Sequence, residues 1–182
     1  MPELQAYLKH EVPRDIACQI RSYIRVQWPQ LNPGLTKIWT PPPGFPLDRM
    51  TFVLVDGELL ISHAEVNFRT LSHRGETFEV GGLSAVFTYP AHRGSGAGER
   101  VVRAATDYLA ASKADLALLF CGDRVRSLYE RLGWQQLPGL CVTSGEDRKP
   151  FTEYHVMAML ISPRARAHDF TSEPFHVGPG TW

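Results

Sequence analysis

Between Val86 and Glu99 the chain reads Val-Phe-Thr-Tyr-Pro-Ala-His-Arg-Gly-Ser-Gly-Ala-Gly-Glu, a strand that runs through a three-glycine turn into a helix. From Gly98 to about Ser112 the residues Val101, Val102, Ala105, Tyr108 and Leu109 share one helical stripe. The strand feeding this turn closes an antiparallel meander. Thr51–Val55 is β-rich and Asp56-Gly57 signals a hairpin; Glu58–Leu71 forms the second arm, His73-Arg74-Gly75-Glu76 the next turn, and Thr77–Thr88 the third strand. A strand that enters a helix after two hairpins cannot belong to a purely parallel sheet. Ahead of the meander, Ile16, Ala17, Ile20, Tyr23 and Ile24 follow helical spacing from Pro13 to about Trp28-Pro29, and a proline-rich stretch to Pro46 excludes regular structure.

Beyond the turn, Leu116–Cys121 reads as a buried strand. Arg124–Leu132 reads as a helix with Val125, Leu128 and Leu132 inward, stopped by Gly133. Glu153–Ile161 is a late strand, and an irregular tail follows Pro163. The order helix, antiparallel meander, helix, strand, helix, strand predicts a mixed α/β (α+β) fold, with a mostly antiparallel central sheet flanked by helices. With 182 residues, no repeat and no low-complexity tract, the expectation is one domain over residues 1–182.

Nineteen basic side chains balance nineteen acidic ones, so no long-range field draws the chain to nucleic acid or an anionic membrane. No apolar run reaches the eighteen or so residues needed to span a bilayer, and the first residues carry no signal-peptide pattern. Cys18, Cys121 and Cys141 are odd in number and far apart, which reads as reduced thiols in a cytoplasm. They form no ligand spacing with any of the seven histidines, so no metal is expected.

In the turn itself, Gly94, Gly96 and Gly98 leave little side chain above the backbone. The N–H groups and the positive end of the following helix bind an anion without a lysine, and a phosphate or pyrophosphate is the natural occupant. A P-loop would need Gly-Lys-Ser/Thr, whereas Gly98 is followed by Glu99. The dinucleotide fingerprint needs Gly-x-Gly-x-x-Gly in a βαβ unit, whereas the spacing is Gly94-x-Gly96-x-Gly98 after hairpin-linked strands.

Arg93-x-x-Gly96-x-Gly98, followed thirty residues after Gly98 by Leu128-Tyr129-Glu130-Arg131-Leu132-Gly133-Trp134, resembles the paired signatures of the GNAT acetyltransferases. The resemblance implies a GNAT fold and an acetyl-CoA-dependent N-acetyltransferase acting on a primary amine of a small molecule. It places the pyrophosphate on Arg93, Gly94, Ser95, Gly96, Ala97, Gly98 and Glu99, and the pantetheine arm along Val86, Phe87 and Thr88. Tyr129 stands where the family has its general acid. A phenol near pKa ~10 lies within about two units of a thiol near ~8.5, so it can protonate the departing thiolate. Within the family the chain is most similar to aminoglycoside 2′-N-acetyltransferases, through Ser62-His63-Ala64-Glu65-Val66, Arg74-Gly75, Arg93-Gly94, Arg126, Leu128, Tyr129, Gly133-Trp134 and the final Trp182, over roughly residues 50 to 135.

Ser84 stands where those enzymes have a glutamate; it can hold a water but cannot act as a base unaided. Glu79, Glu65, His63, His155 and the Trp182 carboxylate remain alternative bases. No acidic residue lies between Asp15 and Asp48, where the resembling enzymes are acid-rich, and the stretch is aromatic and apolar instead. Trp39 and Phe45, with Glu79 and Trp182, are therefore the expected acceptor contacts, and the expected amine is not strongly polycationic. Aminoglycoside acetylation and a non-catalytic CoA-binding role stay open as alternatives, as does a homodimer.

Overall fold

The computed structural model describes residues 1–29 and 49–178. The proline-rich stretch with Trp39 and Phe45, and the terminal Trp182, lie outside the described residues. Six strands form the main sheet: β1 (Glu3–Leu8), β2 (Arg49–Asp56), β3 (Leu59–His73), β4 (Glu76–Thr88), β5 (Leu116–Cys121) and β8 (His155–Leu160), in the order β1-β2-β3-β4-β5-β8. Every neighbouring pair is antiparallel except β4 with β5. The helices are α1 (Arg14–Gln27), α2 (Ala97–Ala110), α3 (Asp123–Arg131) and α4 (Pro163–Ala167). A small second sheet joins β6 (Val142–Ser144), β7 (Lys149–Pro150) and β9 (Phe175–His176) in the order β7-β6-β9. The mixed, mostly antiparallel sheet with flanking helices is the architecture that the order of sequence patterns predicts.

Local chemistry accounts for the meander. Arg74 and Gly75, the two residues between β3 and β4, both have positive φ, 52° and 77°, as a type I′ hairpin requires. Along β2 the side chains alternate between faces. Phe52 and Leu54 join Val101, Val102, Ala105 and Leu109 of α2 in the largest core cluster, with Leu119 and Trp134. Val53 and Val55 turn to the opposite face and pack against Ile16, Ile20 and Tyr23 of α1. The indole N–H of Trp134 donates to Thr106 Oγ1 at 3.0 Å, tying the segment after α3 to α2.

Three expectations need correction. The first element is not α1 but β1, whose alternating Leu4, Ala6 and Leu8 are all exposed, so this edge strand is held by its ladder to β2 rather than by burial. The segment after Pro163 is not irregular throughout. Ser162 Oγ accepts from Ala165 N–H at 3.1 Å and caps α4, Pro163 fits its first turn, and Phe170, Phe175 and Val177 then bury themselves on the sheet. Val125 does not face inward: it is 43% exposed, and Tyr129 is the buried residue of α3.

Helix α2 lies so close to β4 that a Cβ on Gly81 would sit 2.3 Å from Leu109 Cδ2. Leu109 is fully buried, so its side chain can move aside only by displacing its neighbours. Gly81→Ala should therefore cost about 1–3 kcal/mol by overpacking and lower Tm by several degrees. Adding Leu109→Ala should make the two changes less than additive; strictly additive losses in thermal denaturation would contradict the contact.

Candidate active site

Strands β4 and β5 pair over only three positions, Val80 with Leu116, Gly81 with Ala117 and Gly82 with Leu118. Past Gly82 they part, although β4 continues to Thr88 beside β3 and β5 continues to Cys121 beside β8. A bulge accompanies the parting. His63 is in register with Phe87 and Glu65 with Ser84, so Ala64 of β3 faces both Ala85 and Val86 of β4. Ala85 has φ 50°, and its carbonyl accepts from His63 Nδ1 at 2.8 Å, which also fixes the ring's tautomer. A bulge bends the strand and sharpens its twist, swinging the end of β4 away from β5. Val86 is left in the bulge without a register partner. Phe87 and Thr88 have their carbonyls engaged, by Ser62 Oγ at 2.8 Å and Arg93 Nε at 3.1 Å.

The glycine turn lies at the end of this opened edge. Gly94 and Gly96 have φ of 79° and 82°, and a Cβ on either would meet no atom within 4 Å. The need for glycine here is conformational, and the space above the turn is open. Gly98 differs: its Cβ would press on Thr88 Oγ1 at 2.9 Å, so it allows the helix to approach the strand. The first bond into α2 is Arg100 N–H to Gly96 O at 3.1 Å, which leaves the N–H groups of residues 97–99 without an acceptor inside the helix. Ser95 Oγ donates to His92 O at 2.6 Å. Arg93 turns its guanidinium away from the turn, onto Thr88 O and onto Tyr23 Oη at 2.8 Å, and Glu99 is bonded to Arg103 and Arg131. The turn thus offers backbone donors rather than a side-chain cation. An open strand edge leading to such donors fits an elongated ligand with phosphates at one end.

On the α2 side of the opening, Tyr129 is 6% exposed beside Cys121. Burial pushes the Tyr129 phenol well above its ordinary value, and the nearby Cys121 adds to this. Burial likewise pushes the Cys121 thiol up to about 11, so it remains a thiol and a poor nucleophile. His155, across from Cys121, bonds Asp123 Oδ1 through Nε2 at 2.6 Å, and this bond holds the Asp123 carboxyl below its usual range.

The opposite face carries a polar row. Thr51, Glu65 and Ser84 lie abreast on β2, β3 and β4, with Arg49 and Asn67 in the next register position. Glu65 is buried and is bonded by Lys9 Nζ, by Arg49 at 3.1 Å, and approached by His63 Nε2 at 3.6 Å. Burial would raise its carboxyl, but His63 and Lys9 outweigh burial and hold it well below the usual carboxylate range. Ser84, 9% exposed, is in this row. Glu79 is not: it is exposed at the far end of β4, where it accepts from Thr70 Oγ1 at 2.7 Å. Sequence reasoning missed Ala85, Thr51, Arg49, Asn67 and Lys9. The alternation His63, Glu65, Asn67 within an otherwise buried strand was the available signal, since period two puts all three on one face. Among the described residues no group of His, Cys, Asp and Glu could hold a metal ion, and no helix is long and apolar enough to cross a membrane.

Residues 32–137, more than half of the 182, match the family model described as an acetyltransferase (GNAT) domain. No curated protein matches the sequence significantly. Among solved structures the fold is similar to Escherichia coli ElaA, with TM-score 0.59 and 14% identity over 87% of this chain and 99% of that one. It is similar to the Escherichia coli GNAT family N-acetyltransferase YhbS, solved in complex with CoA, with TM-score 0.58 and 15% identity over 96% and 88%. An acyl-CoA N-acyltransferase from Pseudomonas aeruginosa matches with TM-score 0.54 and 14% identity over 87% and 99%. With the family model spanning both the opened strand edge and the glycine turn, the chain belongs to the GNAT acetyltransferases, acyltransferases whose donor is acetyl-CoA.

Proposed function

We propose that the chain is one catalytic unit, working in a cytoplasm, that moves an acetyl group from acetyl-CoA to a primary amine of a small molecule that is not strongly polycationic. The observation that carries this reading is the β4 edge, freed from β5 past Gly82 and ending in a turn of unpaired backbone donors. The main-chain groups of Gly94 to Glu99 hold the pyrophosphate, and the bulge at Val86 receives the pantetheine end and polarises the thioester carbonyl. The free Cys18, Cys121 and Cys141 agree with a reducing compartment.

Two proton transfers are needed: the amine loses a proton and the departing sulfur gains one. Tyr129 serves the sulfur. Its raised phenol widens the gap from a thiol beyond the two units expected of an ordinary tyrosine. Tyr129 therefore acts first as a hydrogen-bond donor to the growing negative charge and gives up its proton late. Glu65 is unsuited to the amine, because a carboxylate held so far below its usual range does not take up a proton near neutrality. His63 is committed as well, with Nδ1 donating to Ala85 O and Nε2 turned towards Glu65 at 3.6 Å, so the amine's proton leaves through a water that Ser84 on the same face can hold.

The resemblance to aminoglycoside 2′-N-acetyltransferases gives a second reading, antibiotic modification, supported by the segment around Glu65. Against it, the Glu65 carboxylate is already met by Lys9 and Arg49, so it has little left for a polycation. An apolar substituent finds better support in the sequence between Asp15 and Asp48, which holds no acidic residue and is rich in aromatic and apolar ones. Against a non-catalytic CoA-binding role stand Tyr129 and the intact glycine turn, which the chain keeps together.

Calorimetric titration should give micromolar binding of acetyl-CoA and none of NAD. Gly96→Val, forced into a left-handed conformation that β-branched residues avoid at about 1–2 kcal/mol, should weaken acetyl-CoA binding about tenfold or more in a protein that still folds. Unchanged affinity would move the phosphates elsewhere. Tyr129→Phe should keep acetyl-CoA affinity and lower kcat about ten- to a thousandfold, whereas an unchanged rate under chemistry-limited conditions would return Tyr129 to a packing role. In a thiol-release assay at matched concentrations, tobramycin should have a lower kcat/KM than the best arylalkyl or alkyl amine; the reverse order would restore the antibiotic reading.

A further inference from the structure

At the far end of the sheet from the glycine turn, His73 closes β3 and His168 follows α4 directly, and the two rings lie together out of solvent. His73 is 4% exposed and the His168 side chain 7%. Nδ1 of His73 meets Nε2 of His168 at 2.8 Å. The outer nitrogens are occupied as well: His73 Nε2 lies 3.0 Å from the Glu173 carbonyl oxygen, and His168 Nδ1 lies 3.2 Å from Glu76 Oε1. One relay therefore runs from Glu76, the first residue of β4, through both imidazoles to the backbone just ahead of β9.

The two ends of the relay fix how many hydrogens it holds. A carbonyl oxygen can only accept, so the bond to Glu173 needs a hydrogen on His73 Nε2. An ionised carboxylate also only accepts, so the bond to Glu76 needs one on His168 Nδ1. The contact between the rings needs a third. Complete bonding thus takes three hydrogens on the four ring nitrogens, one more than two neutral imidazoles carry. Burial alone disfavours the resulting cation. The Glu76 carboxylate and three phenyl rings oppose that cost. Phe78 and Phe170 lie 4.7 and 4.6 Å from the His168 ring, and Phe170 and Phe175 lie 5.5 and 5.4 Å from His73. At such distances an aromatic ring attracts a cation.

We propose that His73 and His168 share one extra proton, and that this proton latches the C-terminal segment onto the hairpin between β3 and β4. With the proton in place, His168 donates to Glu76 and the relay is closed. Without it, the pair keeps the bond between the rings and the bond to the Glu173 carbonyl, but a lone pair on His168 Nδ1 faces the carboxylate. Glu76, half-exposed, then turns to water. The other ionisable side chains packed around the pair are engaged elsewhere or face it across open space. Arg164 of α4 lies over the Phe78 ring and bonds Asp115 and Thr77 O. The charge of Arg74 in the hairpin acts on Asp169, which Thr171 also bonds. Arg148, Glu173 and His176 line, with His73, a cavity of about 360 Å³. Among the described residues, Glu76 is thus the one charged side chain that bonds the pair.

Glu76→Gln separates the two states, because an amide can donate to a neutral Nδ1 as well as accept from a protonated one. The Glu76 bond belongs to the folded, protonated protein, so its stabilisation is present at low pH and is lost as pH rises. Histidines change charge between about pH 5 and pH 8. Near the lower limit the wild-type Tm should exceed that of Glu76→Gln by about 2–4 °C, the shift expected for one charge-assisted hydrogen bond. Near the upper limit the difference should vanish or reverse. Nitrogen-15 NMR of the full chain should show three protonated ring nitrogens in the pair at the lower pH and two at the higher, with one transition felt by both rings. A Tm difference that stays constant with pH overturns the proposal, as do two ring hydrogens throughout or rings that titrate independently.

Discussion

Ala85 adopts a left-handed backbone that an alanine reaches only at a cost of about 1–2 kcal/mol, and the rest of the site follows from that one residue. The bulge it forms puts Ala85 and Val86 opposite Ala64 alone and turns the last residues of β4 out of the ladder with β5. The strain is offset locally, since His63 donates to the Ala85 carbonyl from a fully buried position. His63 is held in turn by an aromatic column: its ring stacks 5.0 Å from Phe87, and Phe87 stacks 4.3 Å from Tyr23 of α1. Tyr23 Oη accepts from Arg93, so the column ends on the first residue of the glycine turn. One connected set of contacts thus fixes where the strand opens and where the turn begins.

Electrostatics divides the site along the same line. At the turn, the side-chain charges are used up: Arg93 binds carbonyl and phenol oxygens, and Glu99 binds Arg103 and Arg131. That leaves the backbone donors and the helix end to attract phosphate, a field that is fixed in place and needs no side-chain reordering. On the face beyond β3, by contrast, side-chain charge is concentrated and buried. Lys9 reaches Glu65 from the segment after β1, and so the exposed edge strand helps to position the polar row.

What could be read in the sequence depended on whether a residue's identity forces its conformation. Glycines at positive φ do so, and hence the turn at 94–98 and the hairpin at 74–75 were legible, as was the meander between them. Ala85 does not: an alanine in a strand carries no mark of a bulge, so the feature that opens the sheet was invisible. Helical stripes predicted α1 and α2 to within a residue or two. The short α3 misled for Val125, because nine residues give too few turns to separate the inward Tyr129 from its neighbours. The tail was misjudged for a different reason. Its anchors Phe170, Phe175 and Val177 are spaced irregularly, and they bury themselves together with Phe78 and Val80 of β4. Ser162-Pro163 was a readable helix start there. The alternation of His63, Glu65 and Asn67 was readable too, but polar residues on a central strand make sense only once both flanks are known to be buried.

The two acid-base groups closest to the opening are both held in one protonation state. Burial keeps Tyr129 protonated, and the cations around Glu65 keep it ionised. Neither can both accept and return a proton near neutrality, so turnover cannot rest on a carboxylate-tyrosine exchange. Two histidines flank these groups, and they are engaged differently. His155 has Asp123 bonded to Nε2, on the side of the sheet where α3 begins. His63 donates through Nδ1 to the Ala85 carbonyl and turns Nε2 towards Glu65 at 3.6 Å. The imidazole that secures the bulge therefore also faces the carboxylate of the polar row, so the backbone geometry that opens the strand and the electrostatics of that row are tied through one side chain.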